Sequence, residues 1–168
     1  MEKHSLWLMP AGEVFERITE IIGQLSSRYG APEFPPHLTL LGSFTGRRRE
    51  LTERCGCIAA SLRPFVIRLE QIESRDEYFR CLFVRAVLDG PLRQAHRAAF
   101  RALGDNRRKA FMPHLSLLYG FLPPSVKEQI IAEIGPRLDL RFKVRSLHLY
   151  RTQDDPPRWR EVECFGLR

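Results

Sequence analysis

The 168-residue chain has no apolar run approaching the roughly 18 residues that cross a bilayer, which excludes a helical membrane span. Between Lys3 and Glu13 the only apolar stretch is Ser5 to Pro10, too short for the core of a secretory signal, so a cytoplasmic protein is expected. Cysteine is scarce. The four present are Cys55, Cys57, Cys81 and Cys164; Cys55-Gly56-Cys57 lacks the two-residue gap of a zinc knuckle, and no second pair follows at a matching distance. Reduced or buried thiols are expected, with a bridge from Cys55 or Cys57 to Cys164 as the alternative. Linkers and low-complexity tracts are also missing, and a composition 43% hydrophobic and 28% charged excludes disordered and fibrous classes. Residues 1–168 are therefore expected to form one bilobal domain, working as a monomer. Acid is under-represented too: 20 Asp and Glu face 27 Lys and Arg, for a net charge of +7, and only four of the basic residues are lysine. Guanidinium forks match phosphate oxygens, so anionic ligands such as nucleotides or RNA are favoured. A generically basic protein is the plain alternative, since net charge governs association and not fold.

The most informative feature is internal similarity. Phe34-Pro35-Pro36-His37-Leu38-Thr39-Leu40-Leu41 recurs as Phe111-Met112-Pro113-His114-Leu115-Ser116-Leu117-Leu118, 77 positions later. Two copies exclude a solenoid and point to two related lobes about a pseudo-two-fold axis.

The flanking patterns agree. Ser5 to Met9 is a strand candidate, and Pro10 to Gly30 carries Val14, Phe15, Ile18, Ile21, Ile22 and Leu25 at helical spacing. A strand follows at the first repeat, then a helix over Arg47 to Leu62. Phe65 to Glu70 and Tyr78 to Leu88 read as a hairpin joined by Glu73 to Glu77. Asp89-Gly90-Pro91 opens a helix ending near Gly104, and the second repeat is the next strand. Ser125-x-x-Glu128 matches a capping box before a helix closed by Gly135-Pro136. Leu138 to Tyr150 and Arg160 to Phe165 end the chain as strands around a loop holding Asp154 and Asp155. The predicted fold class is α+β, with mostly antiparallel sheets lining a central cleft and helices outside.

In a strand, residues two apart share a face. His37 and Thr39 then face one way while Leu38 and Leu40 face a core, and His114 and Ser116 repeat the arrangement over Leu115 and Leu117. Pro36 and Pro113 hold each His at a strand start. Two imidazoles and two hydroxyls facing one cleft meet the needs of phosphodiester cleavage. One neutral imidazole takes the proton of an attacking water, and a protonated one opposite donates to the leaving alkoxide. The hydroxyls hydrogen-bond the non-bridging oxygens where charge builds. A structural role for both histidines is the competing reading, and the shared hydroxyl two residues on is what argues against it. A metal centre has too few ligands at chelating spacing in either motif, so no metal and no cofactor is expected.

At these residues the chain resembles the two-histidine (2H) phosphoesterase superfamily, defined by paired His-x-[Thr/Ser]-x motifs in two lobes. Within it, Met112 to Tyr119 is similar to the cyclic phosphodiesterase family of plants and yeast. So are Ser5 to Pro10, Pro36 to Thr39, Tyr78 to Phe83, and the end from Leu147 through Arg151-Thr152 to Trp159 and Cys164. The resemblance implies opening of ADP-ribose 1″,2″-cyclic phosphate to the 1″-phosphate, and of nucleoside 2′,3′-cyclic phosphates to 2′-phosphates, reactions of tRNA splicing. It implies His37 and His114 as the acid–base pair, Thr39 and Ser116 as phosphate clamps, and Tyr119 as a substrate contact. Strand parity sets Tyr119 opposite Ser116, so that role needs a bulge or the strand's end. Trp7 and Phe79 match positions where aromatics face the cleft, with core packing the equal alternative.

The basic balance departs from an enzyme specialised on a small nucleotide. Arg47-Arg48-Arg49 and Arg107-Arg108-Lys109 flank the motifs, either as solvated charges or as a rim for RNA. Two further functions therefore stand beside small cyclic nucleotides as substrates: a 2H phosphoesterase or 2′–5′ ligase acting on RNA termini, and a non-catalytic nucleotide- or RNA-binding module. His4, His96 and His148 are expected at the surface.

Overall fold

The computed structural model describes residues 2–104 and 110–168. Eight strands form one sheet: β1 (Lys3–Leu8), β2 (Leu38–Thr45), β3 (Phe65–Ser74), β4 (Leu82–Ala86), β5 (His114–Leu118), β6 (Arg141–Val144), β7 (Ser146–Arg151) and β8 (Arg160–Gly166). The helices are α1 (Gly12–Tyr29), α2 (Arg48–Ala60), α3 (Gly90–Leu103) and α4 (Pro124–Ile134). The sheet order is β6-β3-β4-β5-β2-β1-β7-β8, with antiparallel pairing between neighbours. This is an α+β fold. The order is symmetric about its middle: β1-α1-β2 and β4-α3-β5 are equivalent units, and the two repeat-bearing strands lie side by side at the centre. The lobes are thus halves of one continuous sheet, joined where Leu38 pairs with Leu115.

Parity sets the core. Leu38, Leu40, Leu115 and Leu117 are all within 1% of complete burial, each removing enough apolar surface from water to contribute about 1.5–3 kcal/mol. The stripe Ile18, Ile21, Ile22 and Leu25 of α1 closes onto the same side, and Gly30, at φ +63°, ends that helix in the left-handed region glycine enters without strain. Asp89 caps α3 by accepting from the Leu92 amide at 3.1 Å, ahead of Pro91. No helix among the described residues is long and apolar enough to cross a membrane.

Several local expectations are corrected. The capping box at Ser125 and Glu128 does not form: the pre-set φ of Pro124 starts α4, Pro123 takes the cap position, and Ser125 lies inside the first turn. The strand expected from Tyr78 begins at Leu82, because Tyr78–Arg80 form a 3₁₀ turn closed by the Arg80 amide on the Glu77 carbonyl at 3.0 Å. The strand expected from Leu138 to Tyr150 is broken at Arg145 into β6 and β7, which sit far apart in the sheet order. All four cysteines are free. Phe165 approaches Gly56 of α2, so Cys164, the next residue along β8, points to the opposite face and pairs across with His148. His4 is 3% exposed, with Nδ1 3.1 Å from the Glu2 carbonyl. His96 is half-buried, stacked on Phe111 at 3.8 Å with Nδ1 2.9 Å from the Leu40 carbonyl. His148 is half-buried between β-strand neighbours.

Candidate active site

His37 immediately precedes β2 and His114 opens β5, so both imidazoles stand at strand starts on adjacent strands. Each is held the same way. The ring Nδ1 of His37 donates to the Pro35 carbonyl at 2.7 Å, and that of His114 donates to the Met112 carbonyl at 2.8 Å. A carbonyl can only accept, so this contact fixes the tautomer, with the proton on Nδ1 and the lone pair of the neutral ring on Nε2. Proline directly before each His keeps the backbone extended and turns the carbonyl two residues back toward the ring.

An aromatic from the neighbouring strand supports each ring. Trp7 pairs with Thr39 across β1 and β2 and stacks on His37, centroids 3.6 Å apart and planes 12° from parallel. Phe83 pairs with Ser116 across β4 and β5 and meets His114 edge-on at 5.1 Å. Burial pushes the His37 pKa down to about 4, against the Pro35 hydrogen bond, and the nearby His114 lowers it further. Burial also lowers His114, opposed by the Met112 carbonyl and reinforced by Arg80, Arg75 and Arg85. His37 thus senses the charge of His114.

Thr39 is half-buried beside His37. Ser116 is 6% exposed and donates its hydroxyl to the Phe79 carbonyl at 3.0 Å, so it must turn from that carbonyl to meet a ligand. Tyr119 lies one residue beyond the end of β5, which resolves the parity difficulty: it stacks on Phe34 at 3.8 Å, with its phenol beside Ser116 and kept protonated by burial. Trp7 is 1% exposed, a floor under His37. Phe79 is 53% exposed at the rim.

These groups share a cleft of about 630 Å³ lined by His37, Thr39, His114, Ser116, Tyr119, Trp7 and Phe79. The loop from Thr152 to Trp159 forms one wall, with Trp159 6.1 Å from His37 and 6.0 Å from Tyr119. Its indole nitrogen donates to the Asp154 carbonyl at 2.7 Å. Arg80, Arg158 and Lys3 bring positive charge to the same cleft. Trp159, Arg80 and Phe83 fall in stretches that carry the family resemblance, but the sequence assigned them no place beside the histidines. The pairing of Phe83 with Ser116, mirroring Trp7 with Thr39, was the one available signal, visible only once β1 and β4 are known to be equivalent. Arg47-Arg48-Arg49 lies exposed at the start of α2, and Arg49 pairs with Glu53 at 3.0 Å. Arg107-Arg108-Lys109 lies outside the described residues.

A family model described as the 2′-5′ RNA ligase superfamily matches residues 10–156. The chain belongs to this superfamily of 2H phosphoesterases. Among its relatives, the cyclic phosphodiesterase of Arabidopsis thaliana is 23% identical over 156 residues, covering 90% of this chain and 86% of that protein. TT0787 of Thermus thermophilus superimposes with a TM-score of 0.69 at 21% identity, over 99% of this chain and 98% of that one. E. coli LigT in its apo form gives 0.61 at 16% identity, over 99% and 97%. Both solved structures share the fold described above.

Proposed function

We propose that the chain is a metal-independent cyclic phosphodiesterase, opening ADP-ribose 1″,2″-cyclic phosphate to ADP-ribose 1″-phosphate and nucleoside 2′,3′-cyclic phosphates to 2′-phosphates. The observation that carries this reading is the matched pair of imidazoles, each committed through Nδ1 to a backbone carbonyl and each left with Nε2 for proton transfer. His37, kept neutral by its apolar surroundings, is suited to accept the proton of an attacking water. The water oxygen bonds to phosphorus, the ring P–O bond breaks on the opposite side, and protonated His114 supplies the proton that the departing sugar oxygen needs. Exchange with solvent returns both rings to their starting states. Each proton transfer is worth about 10²–10⁴ in rate, and no Lewis acid is needed to generate the nucleophile.

Thr39, and Ser116 once turned from Phe79, meet the non-bridging oxygens. Phe79 and Trp159, 6.3 Å apart and 30° from parallel, offer ring faces to a base. Support for a nucleotide-sized ligand comes from the name of the Arabidopsis relative and from the complexes of E. coli LigT with 3′-AMP and NADP⁺. A second reading, action on RNA termini, is favoured by Arg158 and Lys3, which stand in the cleft beside Arg80 and outweigh Asp154 and Asp155 there, while Arg75, Arg80 and Arg85 around His114 are paired with Glu77 and Glu73. Preference for an oligonucleotide and a steep loss of activity with salt would select that reading.

The test is a phosphorus NMR time course in excess EDTA, with 2′,3′-cyclic AMP and ADP-ribose 1″,2″-cyclic phosphate offered separately. Conversion to the 2′-phosphate and the 1″-phosphate is expected. Turnover that stops in EDTA contradicts the mechanism, and inertness toward both compounds contradicts the substrate assignment.

A further inference from the structure

On the outer strands, away from the histidine pair, three donor side chains of different chemistry meet. His148 of β7 lies directly across from Cys164 of β8, with Nε2 3.9 Å from Sγ. Nδ1 of the same ring is 3.2 Å from Oε1 of Glu161. Cys164 and Glu161 are three residues apart, a spacing that puts side chains on opposite faces of a regular strand. They share a face because the β7–β8 register shifts between Leu149, paired with Glu163, and Tyr150, paired with Glu161. The shift leaves Val162 as the extra residue of a bulge, a device that re-aims side chains. One ligand atom from each residue lies within 4.8 Å of the other two.

We propose that His148, Glu161 and Cys164 form a surface binding site for a borderline divalent transition metal of the zinc type, separate from the phosphodiester cleft. The donor set decides the class of ion. A thiolate and an imidazole disfavour magnesium and calcium, which take oxygen ligands, and favour zinc, cobalt or cadmium. Tetrahedral zinc with these ligands brings neighbouring donor atoms to about 3.4–3.6 Å. The 3.2 Å contact to Glu161 uses Nδ1 and the 3.9 Å contact to Cys164 uses Nε2, so an ion taking one of these nitrogens draws in the partner of the other, within a cluster whose donor atoms already lie inside 4.8 Å. Ser146 Oγ, 2.9 Å from Nε2, is the outer partner of that nitrogen when the metal takes Nδ1. Glu161 and Cys164 are exposed, so the ion needs no opening of the core. Binding removes the Cys164 proton, and the resulting thiolate and the carboxylate balance the charge of the dication. The fourth position faces out. His148 and Glu161 also line a cavity of about 740 Å³ bordered by Arg141, Lys143 and Arg145, whose charge opposes a bare entering cation but suits an anion as the fourth ligand. This site does not depend on the cyclic phosphodiesterase reading, because no residue of the proposed acid–base pair takes part.

The experiment is a titration of the full, reduced, metal-stripped chain with cobalt(II), followed by its thiolate-to-cobalt charge-transfer absorption and by displacement with zinc. One saturable equivalent with that absorption is expected. Cys164→Ser should abolish the band, and His148→Gln and Glu161→Gln should each weaken binding by at least about tenfold. Cys57→Ser, which removes the other exposed thiol, should change nothing. Circular dichroism of each variant confirms that it is folded. Absence of the band in the unmodified chain, or its persistence in Cys164→Ser, overturns the proposal.

Discussion

Acid should unfold this protein partly through His37. The ring is 6% exposed, stacked on Trp7, and held neutral, with its pKa lowered by burial from 6.5 to about 4. The unfolded chain takes up a proton near the ordinary value while the folded chain refuses it until lower pH, so in that window the unfolded state binds more protons and stability falls as pH falls. The contribution is fully present above the ordinary value and is lost between it and about 4. For a shift of that size the loss is about 2 kcal/mol between about pH 7 and pH 5, rising to about 3 kcal/mol near pH 4. Carboxylates titrate over part of the same range, and His114, shifted in the same direction, adds its own slope. A difference measurement removes both. Urea unfolding of the wild type and of His37→Gln at a series of pH values should give a variant that is less stable at neutral pH, where its packing on Trp7 is lost, but with a shallower acid slope. Parallel slopes in the two proteins would refute the account of a neutral, caged imidazole.

Four further outcomes follow from the same geometry. The kcat/KM profile should be bell-shaped with its maximum on the acid side of neutrality, because the acid limb follows His37 near 4 and the alkaline limb follows His114, itself lowered from 6.5; a maximum above pH 7 would contradict this. Thr39→Ala and Ser116→Ala should each slow turnover less than either His substitution, by roughly 10- to 100-fold in steady-state kcat, since each removes one donor to a phosphate oxygen. Ser43, where two adjoining cavities meet, has φ +60°, so Ser43→Val should be less stable than Ser43→Gly by about 1–2 kcal/mol in thermal unfolding. Leu38→Ala, at the junction of the two halves, should cost about 3–5 kcal/mol by urea unfolding, and a loss below 1 kcal/mol would show that the junction repacks.

Much of the site was legible because the repeat carries chemistry and parity together. Leu38, Leu40, Leu115 and Leu117 identify the buried face by alternation, and that fixes where His37, Thr39, His114 and Ser116 point. What alternation cannot reveal is which strands are neighbours. Trp7 comes under His37 only because β1 pairs with β2, and Phe83 reaches His114 only because β4 pairs with β5, contacts between residues 30 or more positions apart. Trp159 enters the cleft on an irregular loop, which has no period to read. The cluster of His148, Glu161 and Cys164 depends on a bulge, which cancels the period-2 rule used elsewhere. The buried His4 was missed for a different reason: the strand starts at Lys3, closer to the terminus than its apolar pattern suggests, and covers that ring.

The central claim is that two imidazoles carry the chemistry as a unit. Its most direct test compares single-turnover cleavage of 2′,3′-cyclic AMP in excess EDTA by the wild type, His37→Gln, His114→Gln and the double variant. Each single substitution is expected to slow cleavage by about 10²–10⁴, and the double variant to fall little below the slower single one, since removing either proton transfer disables the concerted step. A single variant that keeps more than about a tenth of the wild-type rate would contradict the paired mechanism.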